Sequence, residues 1–149
     1  MNSRQFVAGV AFALGLLVAG VGTAAAATLI KESEAKLPPA PAAALETRGI
    51  TRGPGVRVVS PESAVTSPFP LRLAFEPRGG ARIDLSSVKV IYLRSPTVDL
   101  LDRVRSGLSE KGIDLEAAEA PPGEHQIRVT VQDSEGRQTT TLLTLKVVR

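Results

Sequence analysis

A single histidine, His125, and two close pairs of acidic residues are the side chains that could carry chemistry in this chain. An imidazole can act as a general base or bind a metal ion, and a nearby carboxylate can assist it in either role. A transition-metal site at His125 would need carboxylates as its other ligands, because the chain contains no second histidine and no cysteine. We therefore predict no catalytic residue, no metal ligand and no cofactor, and we do not expect an enzyme.

The acidic pairs are better explained as surface and turn residues than as catalytic groups. Asp99 and Asp102 both have arginines close by in the sequence, which favours a solvated, ion-paired face. Asp133 opens the sequence Asp-Ser-Glu-Gly, in which a carboxylate typically accepts backbone N–H groups and Gly136 can take a positive φ. A weak calcium site at Asp133 and Glu135 is the alternative. The sequence contains neither a G-x-S-x-G nucleophile motif nor a phosphate-binding loop.

The elements that must position these residues are predicted to be β-strands. Residues 121–148 form two long alternating segments around a short turn, the pattern of a half-buried hairpin. Shorter alternating or β-branched segments cover residues 56–58, 71–75 and 88–93, and a further strand is expected within 110–119. Glycine and proline separate these segments at regular intervals. The spacing predicts an all-β antiparallel sandwich from about residue 54 to residue 148.

Residues 95–107 interrupt the strand pattern. Ser95 and Pro96 suit the start of a helix and Gly107 suits its end, while Val98, Leu101 and Val104 recur at helical spacing. The spacing therefore predicts a short helix here, with a strand as the alternative because the same segment also fits alternation.

Two segments of the predicted domain resemble bacterial immunoglobulin-like domains, the group that includes the PKD-like and cadherin-like modules of exported proteins. They are GVRVVSPESAVTSPFPLRLAFEP, residues 55–77, and PGEHQIRVTVQDSEGRQTTTLLTLKV, residues 122–147. The resemblance implies an immunoglobulin-like fold and a structural corner role for His125, where related modules often place a tyrosine that hydrogen-bonds to backbone. The cysteine pair and core tryptophan of antibody domains are missing, as are the clustered calcium ligands of cadherins.

The N-terminus carries an export signal. A short basic lead precedes a long uncharged apolar segment, and the run Ala24–Ala27 fits a signal-peptidase site. Residues 1–27 are therefore predicted to be a signal peptide; the alternative is an uncleaved membrane anchor over residues 6–30, which is long enough to span a bilayer. Residues 31–53 are rich in proline and alanine and are predicted to be a linker. Both alternatives put the domain outside the cytoplasm, either free in the periplasm or anchored to the inner membrane.

Several apolar residues have no obvious place in a two-sheet core. Strict alternation turns Leu142 and Val148 outward on the last strand, and Ile91 and Leu93 lie opposite their neighbours on an earlier one. They either contact a protein partner or are covered by the linker or helix.

With a net charge of only +3, 3% aromatic residues and no basic patch, nucleic-acid binding is not expected. The leading hypothesis is a non-enzymatic accessory or docking subunit of an envelope assembly. The alternative is a periplasmic ligand- or metal-binding protein using His125 and nearby carboxylates.

Overall fold

The computed structural model describes residues 25–45 and 52–149. The predicted signal peptide, residues 1–27, and its alternative, an apolar helix that anchors the chain in the membrane over residues 6–30, therefore lie mostly outside the described residues. The strands of the described part are β1 (Ala27–Thr28), β2 (Gly55–Ser60), β3 (Val65–Thr66), β4 (Phe69–Glu76), β5 (Ile83–Tyr92), β6 (Val98–Asp99), β7 (Leu108–Ser109), β8 (Gly112–Glu119), β9 (Gly123–Asp133) and β10 (Gln138–Val148).

Helices contribute little to this part of the chain. They are α1 (Glu32–Ala35), α2 (Ala42–Leu45) and α3 (Leu101–Val104), and a 3-10 turn, Arg105–Gly107, follows α3. Among the described residues, no helix has the length and apolar character needed to cross a lipid bilayer.

The strands form two five-stranded sheets, as an all-β sandwich requires. The first sheet has the order β1-β8-β4-β2, with β7 also paired to β8, and the second has the order β3-β10-β9-β5-β6. Two pairs are parallel, β1 with β8 and β3 with β10, so the sheets are mixed and the prediction of a purely antiparallel sandwich was wrong in this respect. Both parallel pairs involve two-residue strands, which are too short to produce an alternating sequence pattern.

The core lies between the sheets and follows the alternation of the long strands. In β4 every second residue from Phe69 to Phe75 is buried, and in β9 every second residue from His125 to Asp133 is buried. β9 and β10 pair in one continuous antiparallel register, with Ile127 opposite Leu143. Burying an aliphatic side chain of this size contributes roughly 1.5–3 kcal/mol, so the hairpin supplies much of what holds the sheets together.

The N-terminal strap, residues 27–40, packs onto the sandwich although the sequence suggested an apolar export segment followed by a linker. β1 extends the first sheet beside β8, and Leu29 and Ile30 are 0% and 2% exposed in the core. Farther along, Pro39 forms a bridge with Arg94. The first part of the predicted linker is therefore a structural part of the domain. The export signal itself stays a prediction.

The segment between β5 and β8 contains less helix than predicted. Val98 pairs with Tyr92 as part of β6, and only four residues, Leu101–Val104, then form α3. Leu100 and Val104 are fully buried. The helical spacing of the sequence thus marks a buried turn of helix, and the strand alternative holds for the residues that precede it.

Candidate functional site

Two of the predicted interaction residues lie in one row on the second sheet. Ile91 of β5 is opposite Arg128 of β9, and Arg128 is opposite Leu142 of β10. Ile91 and Leu142 are both half-buried. Because residues in register share a face of the sheet, the row runs across three strands on the side away from the core. The row presents Arg128 with one aliphatic side chain on each side, Ile91 and Leu142.

Val148, another predicted interaction residue, borders a shallow apolar groove. It is 41% exposed and lies opposite Thr66 at the end of β10. The groove has a volume of about 470 Å³ and is lined by Ala64, Val65, Thr66, Pro68, Phe69, Pro70 and Val148. Its lining carries no formal charge, so it suits an apolar side chain of a protein partner better than a charged ligand.

Leu93 is not available for contact with a partner. It is 3% exposed, its N–H donates to the carbonyl of Gln126 at 2.9 Å, and its carbonyl accepts the N–H of Ala40 at 3.4 Å. The N-terminal strap covers it. The prediction that Leu93 belongs to an interaction surface is therefore wrong, and the alternative prediction, that the linker covers such residues, is correct for Leu93.

A second apolar concavity lies at another place on the sandwich. It has a volume of about 470 Å³ and is lined by Leu85, Ser86, Leu101, Arg105 and Leu108. Leu85 is exposed, whereas Leu101 and Leu108 are half-buried and pack against the core. No local sequence pattern indicates this concavity, because its residues come from four separate elements: β5, α3, the 3-10 turn and β7.

His125 is buried and both of its ring nitrogens have hydrogen-bond partners. Nε2 lies 2.7 Å from the carbonyl oxygen of Pro121, which can only accept, so Nε2 carries the proton. In the neutral ring Nδ1 then accepts from the Tyr92 hydroxyl at 2.9 Å. The Tyr92 oxygen in turn accepts from Nε of Arg94 at 2.8 Å, and another nitrogen of Arg94 donates to the carbonyl of Leu37 at 3.2 Å. This chain links the second sheet to the strap.

The electrostatics of His125 favour the neutral ring. Burial lowers the pKa of His125 below its ordinary value of 6.5, and the positive charge of Arg94 lowers it further, while the bond to Pro121 opposes the shift. Neither nitrogen is directed at open space. Among residues 25–45 and 52–149, no group of three or more histidine, cysteine or acidic side chains is arranged to hold a metal ion. Both ring nitrogens of His125 are engaged within the fold, by Pro121 and by Tyr92.

Asp133 organises the turn between β9 and β10. Its carboxylate accepts the N–H of Glu135 and of Arg137, each at 3.0 Å, and Nε of Arg137 at 2.8 Å. Gly136 in the same turn has a φ of 80°. Burial alone would raise the pKa of Asp133, but the bonds from Arg137 and Glu135 together hold the pKa below its ordinary value of 3.8. All of these bonds close the turn, and they occupy the carboxylate that the calcium alternative would have used.

Arg103 and Glu34 form a partly buried ion pair that the sequence did not reveal. Two guanidinium nitrogens of Arg103 donate to the two carboxylate oxygens of Glu34 at 2.6 and 2.7 Å, and Arg103 also donates to the carbonyl of Leu29 at 3.0 Å. The bond to Arg103 lowers the pKa of Glu34 below 4.5 although burial opposes it. The two residues are far apart in sequence, and Glu34 lay in the predicted linker, so no local signal joined them.

Comparison with known proteins adds little to this geometry. No protein-family model matches the chain, and no curated protein matches it. Among solved structures, the chain is similar to the crystal structure of an engineered protein, with 16% sequence identity and a TM-score of 0.40. The similarity covers 67% of this chain and 21% of the engineered protein, so this chain spans about a fifth of that protein's length. Function is therefore inferred from the residues of this chain.

Proposed function

We propose that this chain is a non-enzymatic interaction module of the cell envelope that docks a protein partner on the outer side of its second sheet. The observation that carries the proposal is the row that contains Ile91 of β5 and Leu142 of β10, two half-buried aliphatic side chains on the outer face of the sheet with Arg128 of β9 between them. Aliphatic groups on a sheet face gain free energy when a partner removes them from water. The apolar groove at Val148 lies beside the far end of the same strand, β10.

An immunoglobulin-like identity for the sandwich is part of this proposal. In chain order, the long strands β2, β4 and β8 share one sheet, while β5, β9 and β10 share the other. The A, B and E strands and the C, F and G strands of an immunoglobulin domain are divided between sheets in the same way. His125, near the start of β9, bonds to the backbone four residues upstream, as a corner tyrosine does near the start of strand F. Such domains commonly serve recognition.

A non-enzymatic role agrees with how the polar groups are used. The side chains most able to react, His125 and Asp133, are engaged in bonds within the fold. No buried polar side-chain atom among the described residues lacks a hydrogen-bond partner. A site built for catalysis commonly holds strained or unpaired polar groups ready for substrate.

The predicted export signal determines the compartment in which the partner is proposed to lie. The apolar N-terminal segment and the run Ala24–Ala27 support a place in the periplasm or at the outer face of the inner membrane. If the apolar N-terminal segment were to stay in the membrane, the domain would lie close to the bilayer, because β1 already begins at Ala27. A membrane-embedded or membrane-adjacent partner would then be within reach without a long tether.

Affinity purification of the tagged full chain from its own cell envelope tests the proposal. We expect a stoichiometric protein partner that is lost when Ile91→Lys or Val148→Lys puts a charge on the proposed surface. Leu85→Lys is the matched control, since Leu85 is exposed to a similar extent, 38% against 41% for Val148, but lines the other concavity. No partner from the wild-type chain, or equal loss in all three variants, would contradict the proposal.

A further inference from the structure

The outer edge of β10 is long, regular and uncharged over most of its length. β9 pairs with one side of β10 from Gln138 to Val147 without a register shift. On the other side, within residues 25–45 and 52–149, β3 pairs only with Val147 and Val148. At the opposite end, Gly53 lies against the backbone of Gln138 and the side-chain hydroxyl of Thr139. Residues 140–146 between these two points therefore have no strand paired with them on this side in the described part of the chain.

Other edges in the described part of the sandwich carry features that discourage pairing with a second chain. β2 contains a register shift between Val58 and Ser60 and a charged Arg57, and β5 has a shift between Asp84 and Lys89. The remaining edge strands β1, β3, β6 and β7 have two residues each. Natural sheets use short edges, bulges and charges in this way to avoid association. Residues 140–146 have none of these features until Lys146.

The sequence of this edge is self-complementary in an antiparallel register. Centred on Leu143, the segment TTLLTLK would place Thr140 opposite Lys146 of a second copy, Thr141 opposite Leu145, Leu142 opposite Thr144, and Leu143 opposite itself. No two like charges face each other. Threonine and aliphatic residues are favourable cross-strand pairs, each worth roughly 0.2–1 kcal/mol relative to an alanine pair. The register also ends before Val147, where β3 pairs, and before Thr139.

We propose that two copies of this chain associate through β10, with a two-fold axis at Leu143, to form one continuous sheet from both second sheets. Seven residue pairs bury less area than a permanent dimer interface, so the dimer dissociates on dilution. The pairing is separate from the proposed docking of another protein. It would bring the row containing Leu142 close to the same row of the second copy and thereby double the apolar surface on one face.

Directed cross-linking tests the pairing in the full chain. The chain contains no cysteine, so two introduced cysteines are the sole thiols. A Leu142→Cys copy and a Thr144→Cys copy, carrying different tags and produced together, are mildly oxidised. Residues directly opposite across an antiparallel pair have Cβ atoms about 4.5–5.5 Å apart, close enough for a disulfide after a small adjustment. We expect a cross-linked species containing both tags, and much less product from either variant alone.

A charge at the centre of the interface provides the second measurement. Thr144→Lys in the full chain should raise the dimer dissociation constant by about tenfold in sedimentation experiments, because each lysine then faces an aliphatic residue near the axis. Thr144 is exposed in the monomer, so its melting temperature should hardly change. Thr97→Lys is the control: it adds the same charge to an exposed residue beside β6, at the opposite edge of the same sheet.

Three outcomes would overturn the proposal. Absence of the mixed disulfide would mean that the edge is not available to a second copy. Stronger cross-linking of Leu142→Cys with itself would place the axis elsewhere. An equal rise in dissociation constant for Thr97→Lys and Thr144→Lys would mean that any dimer uses a different surface.

Discussion

Arg103 and Glu34 form a bidentate ion pair, with guanidinium-to-carboxylate distances of 2.6 and 2.7 Å. This ion pair connects the N-terminal strap to α3. Their side chains are only 22% and 15% exposed, so water screens the attraction less than at a typical surface pair. The additional bond from Arg103 to the carbonyl of Leu29 ties the same guanidinium to the strap at a second point.

Glu34→Gln should destabilise the domain by about 2 kcal/mol, because it removes a charge-assisted pair and leaves Arg103 partly buried without its counterion. Urea unfolding followed by circular dichroism measures the change. Glu32→Gln is the matched control: its ion pair with Lys36 is 3.0 Å long, but both side chains are about three-quarters exposed. We expect the control to lie within about 0.5 kcal/mol of wild type. Equal effects in both variants would contradict a special role for Arg103.

The domain should lose stability as the pH falls from neutrality through the ordinary pKa of histidine. The pKa of His125 is lowered in the folded state, so below pH 6.5 the unfolded chain binds a proton that the folded chain resists. The contribution of His125 to the free energy of unfolding is therefore fully present above pH 6.5 and is lost progressively below it. Protonation would also leave the Tyr92 hydroxyl proton without its acceptor and add a charge near Arg94.

Melting temperatures of wild type and His125→Gln between pH 7.5 and 5 measure this effect. The variant cannot titrate there, so its melting temperature should vary less with pH even if it is lower throughout. Below about pH 4.5, stability should fall again in both proteins, because the lowered pKa of Glu34 makes its protonation unfavourable to folding. If the melting temperatures of wild type and His125→Gln change equally between pH 7.5 and 5, His125 is not the group that causes the pH dependence.

Gly112→Ala should be among the most destabilising small substitutions in the domain. Gly112 has a φ of 144°, and an added Cβ would lie 1.8 Å from the carbonyl oxygen of Leu73, so the β4–β8 pairing would have to shift. We expect the free energy of unfolding to fall by roughly 2–4 kcal/mol, because the backbone at residue 112 is strained and β4 is displaced from β8. Gly80→Ala is the control, since its φ is 74° but no atom lies within 4 Å of the added Cβ. It should lose only about 1–2 kcal/mol. Similar losses in a denaturant titration would mean that the close approach at Leu73 relaxes easily.

Sequence patterns revealed those parts of the fold that depend on neighbours along the chain. Alternation in residues 127–131 gave the inward face of β9 correctly, because a strand repeats every two residues regardless of its partner. The contacts that hold the buried polar side chains are long-range. Tyr92 meets His125 across 33 positions, and Arg94 reaches Leu37 across 57. No local pattern encodes such pairs, so the sequence could name His125 without naming what holds it.

The N-terminal strap shows a different limit. Leu29 and Ile30 follow an uncharged apolar run. Hydropathy alone does not distinguish the residues of a signal peptide or membrane segment from those of a protein core. Their burial depends on a space between the sheets beside α3 and β8, which exists only after residues far along the chain have folded. Leu93 was misassigned for the same reason, since its cover is supplied by this strap.

Leu29→Ala tests whether the strap is part of the folding unit. The Leu29 side chain is fully buried, so truncation should cost about 2–5 kcal/mol through lost burial and the cavity left behind. Leu85→Ala, at a 38% exposed position, should change stability by well under half as much. Chemical denaturation of the full-length variants gives both values, and hydrogen exchange at Leu29 and Ile30 gives a second readout, because their N–H groups donate to the carbonyl of Glu119. Rapid exchange at these amides, with an unchanged unfolding midpoint in Leu29→Ala, would mean that the strap leaves the sandwich in solution and that residues before β2 act as the linker first predicted.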